Sequence, residues 1–320
     1  MSKHPENESA NSTIDKKRRT LLTAAGAGVL AATFGGTAFA GKAKTLRWGI
    51  VGTGGIANSM APRIKQADHA ELAAVSSRRM ASAEEFAGKH SVGKAFDSWA
   101  DMLAWDGVDA IYIATPTSVR EEIGIAAAKA GKHVLGEKPF ANLPSLQRIT
   151  AACRENGVGF MDGTHFPHHP RTTHIKAVMA EKVGWPWSVA SAFQFGLTDM
   201  SNIRMNPTLE PYGAIGDAGW YNMRAAAESM PMNLDLASVD AYLRRGETGA
   251  AVSGSGLIVF EDGSTTTWNC GFESGAGIMD LRISGARGVI KLDDFLSQRR
   301  EDNAGVYEYR SGWGNSEDVE

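Results

Sequence analysis

Only two cysteines, Cys153 and Cys270, occur in 320 residues. That scarcity excludes a disulfide-stapled scaffold and a four-cysteine zinc site. Positive charge is not in excess: 33 Lys and Arg stand against 36 Asp and Glu, net −3. Bulk charge therefore gives no support to a nucleic acid partner. Proline is sparse (11) beside glycine (36), and the glycines keep no collagen period. No internal repeat is visible. One uncharged run, Leu21 to Ala40, approaches membrane-span length, but Ala, Gly and Thr make it only mildly apolar. What is present is 43 % hydrophobic and 22 % charged residues, the mix of a globular protein with one large domain or two ordinary ones.

The uncharged run is preceded by Lys16-Lys17-Arg18-Arg19 and ends in Ala38-Phe39-Ala40, an A-x-A cleavage pattern. Paired arginines followed by two leucines resemble a twin-arginine export signal. Residues 1–40 are therefore expected to be a signal peptide, and the remainder periplasmic or exported, with no membrane attachment after cleavage. An ordinary secretory signal and an uncleaved anchor stay open.

Leu46 to Val51 reads as an apolar strand, followed by Gly52-Thr53-Gly54-Gly55-Ile56-Ala57 and a helical stretch to about Lys65. This is G-x-G-x-x-A between strand and helix. Gly52 permits the tight turn, Gly54 and Gly55 let a pyrophosphate approach, and small Ala57 packs the helix on the strand. Amides of Gly55 and Ile56 at the helix start are donors for phosphate. The second strand, Glu71 to Val75, leads into Ser76-Ser77-Arg78-Arg79 where an NAD site usually has an acid. Hydroxyls and a guanidinium suit a 2′-phosphate, so NADP is favoured and NAD remains possible. Strands at Asp109–Ala114, His133–Gly136 and Val158–Met161 alternate with helices at Val119–Ala130 and Pro144–Glu155. That alternation predicts a parallel doubly wound sheet over residues 41–163.

Ligands in such folds lie beyond the carboxyl ends of strands. Thr115-Pro116-Thr117 ends one strand, and Gly136-Glu137-Lys138-Pro139 another. Thr115, Pro116, Glu137 and Lys138 are thus expected to line the cofactor crevice. Asp217 and Tyr221, four apart on a predicted helix, share a face. A carboxylate, a phenol and a lysine can share protons, as hydride transfer to or from a C–OH carbon requires. A nearby lysine cation would lower the tyrosine pKa. Further strands are expected at Val189–Phe195, Val239–Leu243, Gly256–Phe260, Thr265–Cys270, Met279–Ser284 and Val289–Leu292, with a hairpin at Glu261-Asp262-Gly263. Runs of strands without helices predict an antiparallel sheet. The polar segment 298–320 is expected to be a loosely ordered tail.

Glycine loop, Thr-Pro strand end, Glu-Lys-Pro and Asp-x-Gly-x-Tyr occur here in one order. In that order they resemble the glucose–fructose oxidoreductase / inositol dehydrogenase / rhizopine catabolism (Gfo/Idh/MocA) family over residues 45 to about 295. The resemblance implies an α/β protein: an N-terminal Rossmann domain, then a C-terminal α/β domain (164–297) with a large, mostly antiparallel sheet that forms homo-oligomers. It implies Lys138 as catalytic lysine, Tyr221 as acid–base and Asp217 as acidic partner, the tyrosine resembling the glucose–fructose oxidoreductase branch. Two departures stand out. Thr117, Ser118, Val119 and Arg120 replace an Asn and a later His, and the chain stops some tens of residues before members usually do.

His165, His168, His169 and His174 gather around Pro167 and Pro170. The prolines argue against a regular helix, leaving substrate pocket, structural and metal readings, with His165 the best pocket member and no metal expected. Arg204 either holds substrate or lies at the surface. An exported nicotinamide enzyme lacks free cofactor, so the nucleotide should be tightly held and recycled in place. The reading is an NADP(H)-dependent oxidoreductase acting on the CH–OH of a sugar or polyol or on the related carbonyl. The alternatives are a redox-neutral glycosidase of the same fold and a non-catalytic nucleotide-binding protein.

Overall fold

A computed structural model describes residues 44–231, 233–296, 307–312 and 315–319. The expected export signal lies outside the described residues.

The first half is one parallel sheet. β1 (Leu46–Val51), β2 (Ala70–Ser76), β3 (Lys94–Phe96), β4 (Ala110–Ile113), β5 (His133–Gly136) and β6 (Phe160–Asp162) run in the order β3-β2-β1-β4-β5-β6. Both faces are covered, so the strands are nearly continuous apolar runs; β4 is buried throughout. The helices are α1 (Gly55–Gln66), α2 (Met80–His90), α3 (Trp99–Ala104), α4 (Arg120–Lys129) and α5 (Leu143–Glu155). Asn142 caps α5, its side chain accepting the Ser145 amide at 2.8 Å, and a proline stands in its first turn. The strand order reverses between β1 and β4, and the crevice at that switch point is where such sheets bind ligands.

The second half adds α6 (Pro170–Lys182), β7 (Pro186–Gly196), α7 (Trp220–Ser229) and then β8 (Leu236–Arg245), β9 (Ala251–Phe260), β10 (Thr265–Gly271), β11 (Glu273–Ile278), β12 (Leu281–Gly285), β13 (Val289–Leu292), β14 (Tyr307–Ser311) and β15 (Asn315–Val319). They form a sheet ordered β15-β14-β13-β12-β7-β10-β9-β8, with β11 also paired to β7. All pairs are antiparallel except β7 with β10. Helices α6 and α7 cover one face through Ile175, Tyr221, Ala225, Val189 and Ile283.

Two expectations change. Residues 307–311 and 315–319 are not a loose tail: they extend the sheet beyond β13, and Tyr307 is buried in the core. Pro170 does not prevent a helix but starts one. It occupies the first turn of α6, where a missing N–H costs nothing, and His169 caps the helix by accepting the Arg171 amide at 3.1 Å. The sheet is mostly antiparallel, as expected; its parallel pair, β7 with β10, arises where the chain crosses between them through α7 and two strands.

Candidate active site

The nucleotide end is built by one short segment. Gly52 has φ +104°, and a Cβ there would meet the Ala114 carbonyl at 3.0 Å. Only glycine passes this turn without strain. Gly54 precedes α1 with no side-chain cap, and no acid stands in the first turn. The first amides of the helix are therefore left for an anion. Asn58 holds the loop from inside, donating to the Thr53 and Gly54 carbonyls at 3.1 and 3.0 Å and bonding His90 at 2.8 Å. A Cβ on Gly54 or Gly55 would meet nothing within 4 Å, and Ile56 is 46 % exposed beside them. The hydroxyls of Ser76 and Thr115, at the ends of β2 and β4, are buried without a protein partner. Orphaned donors of this kind cost about 1–3 kcal/mol when left unpaired. Ser77 is half-buried and Arg78 exposed just past β2. Open space, free amides and orphan hydroxyls fit a dinucleotide along this groove.

The reacting end is assembled from distant segments. Glu137, Lys138 and Pro139 follow β5, the Lys138–Pro139 peptide being cis. Lys138 Nζ donates to Asp217 Oδ1 at 2.5 Å and to the Asp217 carbonyl at 3.2 Å. Arg204 Nε donates to Asp217 Oδ2 at 2.7 Å. Asp217 lies in one turn of π-helix, Ile215–Gly219, that leads into α7. Such turns re-aim a side chain within a continuing helix and recur at functional sites. Burial would raise the Asp217 carboxyl, but the charges of Lys138 and Arg204 outweigh it and hold it at about 2.

Lys138 Nζ also lies 4.8 Å from the Tyr221 ring centre. The ring is wedged between Phe193 at 5.5 Å and His165 at 5.6 Å. The sequence suggested that Lys138 would ionise Tyr221; the structure reverses this. Burial, then the Glu137 and Asp217 carboxylates, push the phenol above its ordinary range, with Arg204 opposing. Lys138 has its own counter-ion in Asp217, so its charge does little for the phenol.

Glu137 is buried and accepts the Tyr112 hydroxyl at 2.6 Å, under Gly163, where a Cβ would stand 2.9 Å from its carboxyl oxygen. Of the histidines, His165 bonds the Leu296 carbonyl at 2.9 Å, His169 caps α6, and His174 packs on Tyr307. Among the described residues no group of three His, Cys, Asp or Glu is placed to hold a metal. No helix among them is long and apolar enough to cross a membrane.

Two buried residues at this end escaped sequence reasoning: Arg120 and Glu210. Glu210 accepts the Thr117 amide at 3.0 Å and hydroxyl at 2.5 Å. No local pattern marks Glu210; Arg120 was visible only as a departure from the family motif.

Residues 46–164 match the Gfo/Idh/MocA oxidoreductase family, NAD-binding Rossmann fold. The chain is 32 % identical over 236 residues to D-xylose 1-dehydrogenase (NADP(+)) 2 of Haloferax volcanii, covering 72 % of this chain and 70 % of that one. It is equally identical, over the same length and shares, to dTDP-3,4-didehydro-2,6-dideoxy-alpha-D-glucose 3-reductase of Actinomadura kijaniata. Among solved structures, the 3-ketoreductase KijD10 of that organism, in complex with NADP and TDP-benzene, superposes with TM-score 0.79 at 26 % identity over 86 % of this chain and 84 % of its own. Aldose-aldose oxidoreductase of Caulobacter crescentus shares the fold, with TM-score 0.77 at 21 % identity over 87 % and 84 % of the two chains. The chain belongs to the Gfo/Idh/MocA oxidoreductases, which makes it a nicotinamide-dependent oxidoreductase by class.

Proposed function

We propose that this protein is an exported NADP(H)-dependent oxidoreductase that passes hydride between a tightly held nicotinamide and the CH–OH or carbonyl carbon of a sugar or polyol. The observation that carries the reading is Asp217, ion-paired to both Lys138 and Arg204 against the Tyr221 ring, beyond the carboxyl end of β5. NADP is supported by Ser77 and Arg78 after β2 and by the NADP named with the relatives. Bound in the groove, the nucleotide supplies or accepts hydride at its nicotinamide.

The chain's own residues manage the proton. In reduction, the carbonyl oxygen gains a proton as its carbon gains hydride. Tyr221, kept neutral by burial, donates it. Lys138, ion-paired to Asp217, steadies the developing oxyanion. In oxidation the proton returns to Tyr221 oxygen. Arg204, half-exposed beyond its bond to Asp217, is available to a substrate oxygen, and His165 borders the same tyrosine.

Export is supported by Arg18-Arg19 and Ala38-Phe39-Ala40, and cofactor recycling in place follows from it. A homo-oligomer is supported by β8, exposed along its whole length, with Tyr242 at 74 % and Leu236 at 61 %. The test is an absorbance scan at 340 nm of protein recovered from the exported fraction, before and after a sugar panel that includes D-xylose. A sugar-dependent change without added cofactor is expected. Released nucleotide with no response to any sugar overturns the redox assignment, and an N-terminus other than Gly41 overturns the cleavage site.

A further inference from the structure

We propose that Arg120 and Glu210 form an interdomain clamp that positions the nicotinamide end of the crevice; the positioning role rests on the oxidoreductase reading above. Arg120 opens α4 and is 7 % exposed. Its guanidinium is committed to the protein. Nε and Nη2 donate to the Thr115 carbonyl at 3.0 and 2.7 Å, and Nη1 donates to the Thr117 hydroxyl at 3.0 Å and to the Pro139 carbonyl. Nη2 also lies 3.9 Å from Glu210 Oε1, as an ion pair. The guanidinium is thus taken up by protein acceptors, so Arg120 acts through what it holds. It holds the strand ends of β4 and β5, the second one residue past Lys138.

Glu210 comes from the other domain, in the segment between Arg204 and Asp217, and grips Thr117 with both oxygens. Its neighbours dock too. The Ser118 amide donates to the Leu209 carbonyl at 3.3 Å, and the Tyr212 hydroxyl donates to the Ala141 carbonyl. Gly216, next to Asp217, lies against Pro139: a Cβ there would stand 3.0 Å from Pro139 Cγ. The same clamp thus registers Asp217 on Lys138. A buried ion pair is a poor source of stability, because desolvation offsets the attraction. What the forked guanidinium adds over an apolar contact is directional definition of several atoms at once.

Such a device predicts damage confined to one end of the cofactor. Glu210→Gln retains an acceptor for the Thr117 amide and removes the charge facing Arg120; Arg120→Lys keeps charge and loses the fork. NADPH is titrated by fluorescence, and 2′,5′-ADP, which lacks the nicotinamide, by calorimetry. Both variants are expected to weaken NADPH about tenfold while leaving 2′,5′-ADP within about twofold. Amide exchange in nucleotide-free protein supplies a readout independent of the functional reading. Exchange in segments 115–119 and 138–141 is expected to quicken about tenfold, with α5 unchanged. Equal weakening of both ligands, or unchanged exchange in those segments, overturns the clamp. Quickened exchange in a protein whose wild type binds neither nucleotide overturns the oxidoreductase reading and keeps the interdomain contact.

Discussion

The two ends of the crevice are made in opposite ways. The nucleotide end is a continuous stretch, Gly52 to Asn58, whose shape follows from backbone sterics, an uncapped helix and one internal asparagine. The reacting end joins Lys138, Arg204, Asp217 and Tyr221 through ion pairs and a ring contact between distant segments, Lys138 and Asp217 alone being 79 residues apart. The first is a matter of leaving space and donors free. The second is a matter of holding charges where water is largely excluded. A local error should therefore harm binding at the first end and chemistry at the second.

The sharpest way to break the contrast is Lys138→Met. It leaves the glycine loop intact and should slow hydride transfer by roughly 10³-fold or more in single-turnover absorbance, with NADPH affinity changed only a few-fold. A loss confined to nucleotide affinity would show that the lysine serves binding instead. Tyr221→Phe keeps the ring and its contacts with Phe193 and His165. A loss of roughly 10²–10⁴-fold in the same assay is expected, typical of a general acid. An unchanged rate would transfer the proton to Lys138.

Acid should also probe the charged end. The charges of Lys138 and Arg204 hold the Asp217 carboxyl at about 2 in the folded protein, below its ordinary 3.8. Its stabilising contribution is whole above pH 4 and is lost as pH falls toward 2. The shift corresponds to about 2 kcal/mol. Chemical denaturation of wild type and Asp217→Asn at pH 6 and pH 2.5 measures it; equal gaps at both values would show that the pairing contributes nothing. The smallest effect belongs to the other end. Gly54→Ala points a methyl into open space, so stability should stay within about 0.5 kcal/mol. NADPH affinity should still fall about tenfold, because the methyl occupies the pyrophosphate's approach. Unchanged affinity would mean that the phosphates lie elsewhere.

Legibility in the sequence divides along the same line. β5 and β13 fall on the residues expected, since short apolar runs between turn residues leave little freedom in their bounds. β3, α3 and β11 were not foreseen: each is six residues or fewer, too short to show a period. The strands at 307–311 and 315–319 were read as tail, because edge strands are half-solvated and carry polar residues. Lys138, Asp217 and Tyr221 were grouped from motif order. Their electrostatics were not foreseen, because the tyrosine's shift depends on burial and on Glu137 and Asp217 together.

By itself the sequence determined the parallel sheet with its glycine turn, and the residue types that exchange protons. These are properties of local backbone geometry and hydrophobic period, written over a few consecutive residues. Tertiary structure alone decided that Asp217 serves two cations, that burial raises the Tyr221 phenol, and that Arg120 and Glu210 meet across the domains. Coulomb energy and desolvation depend on distance in space and on exclusion of water, and neither is encoded in the spacing of residues along the chain.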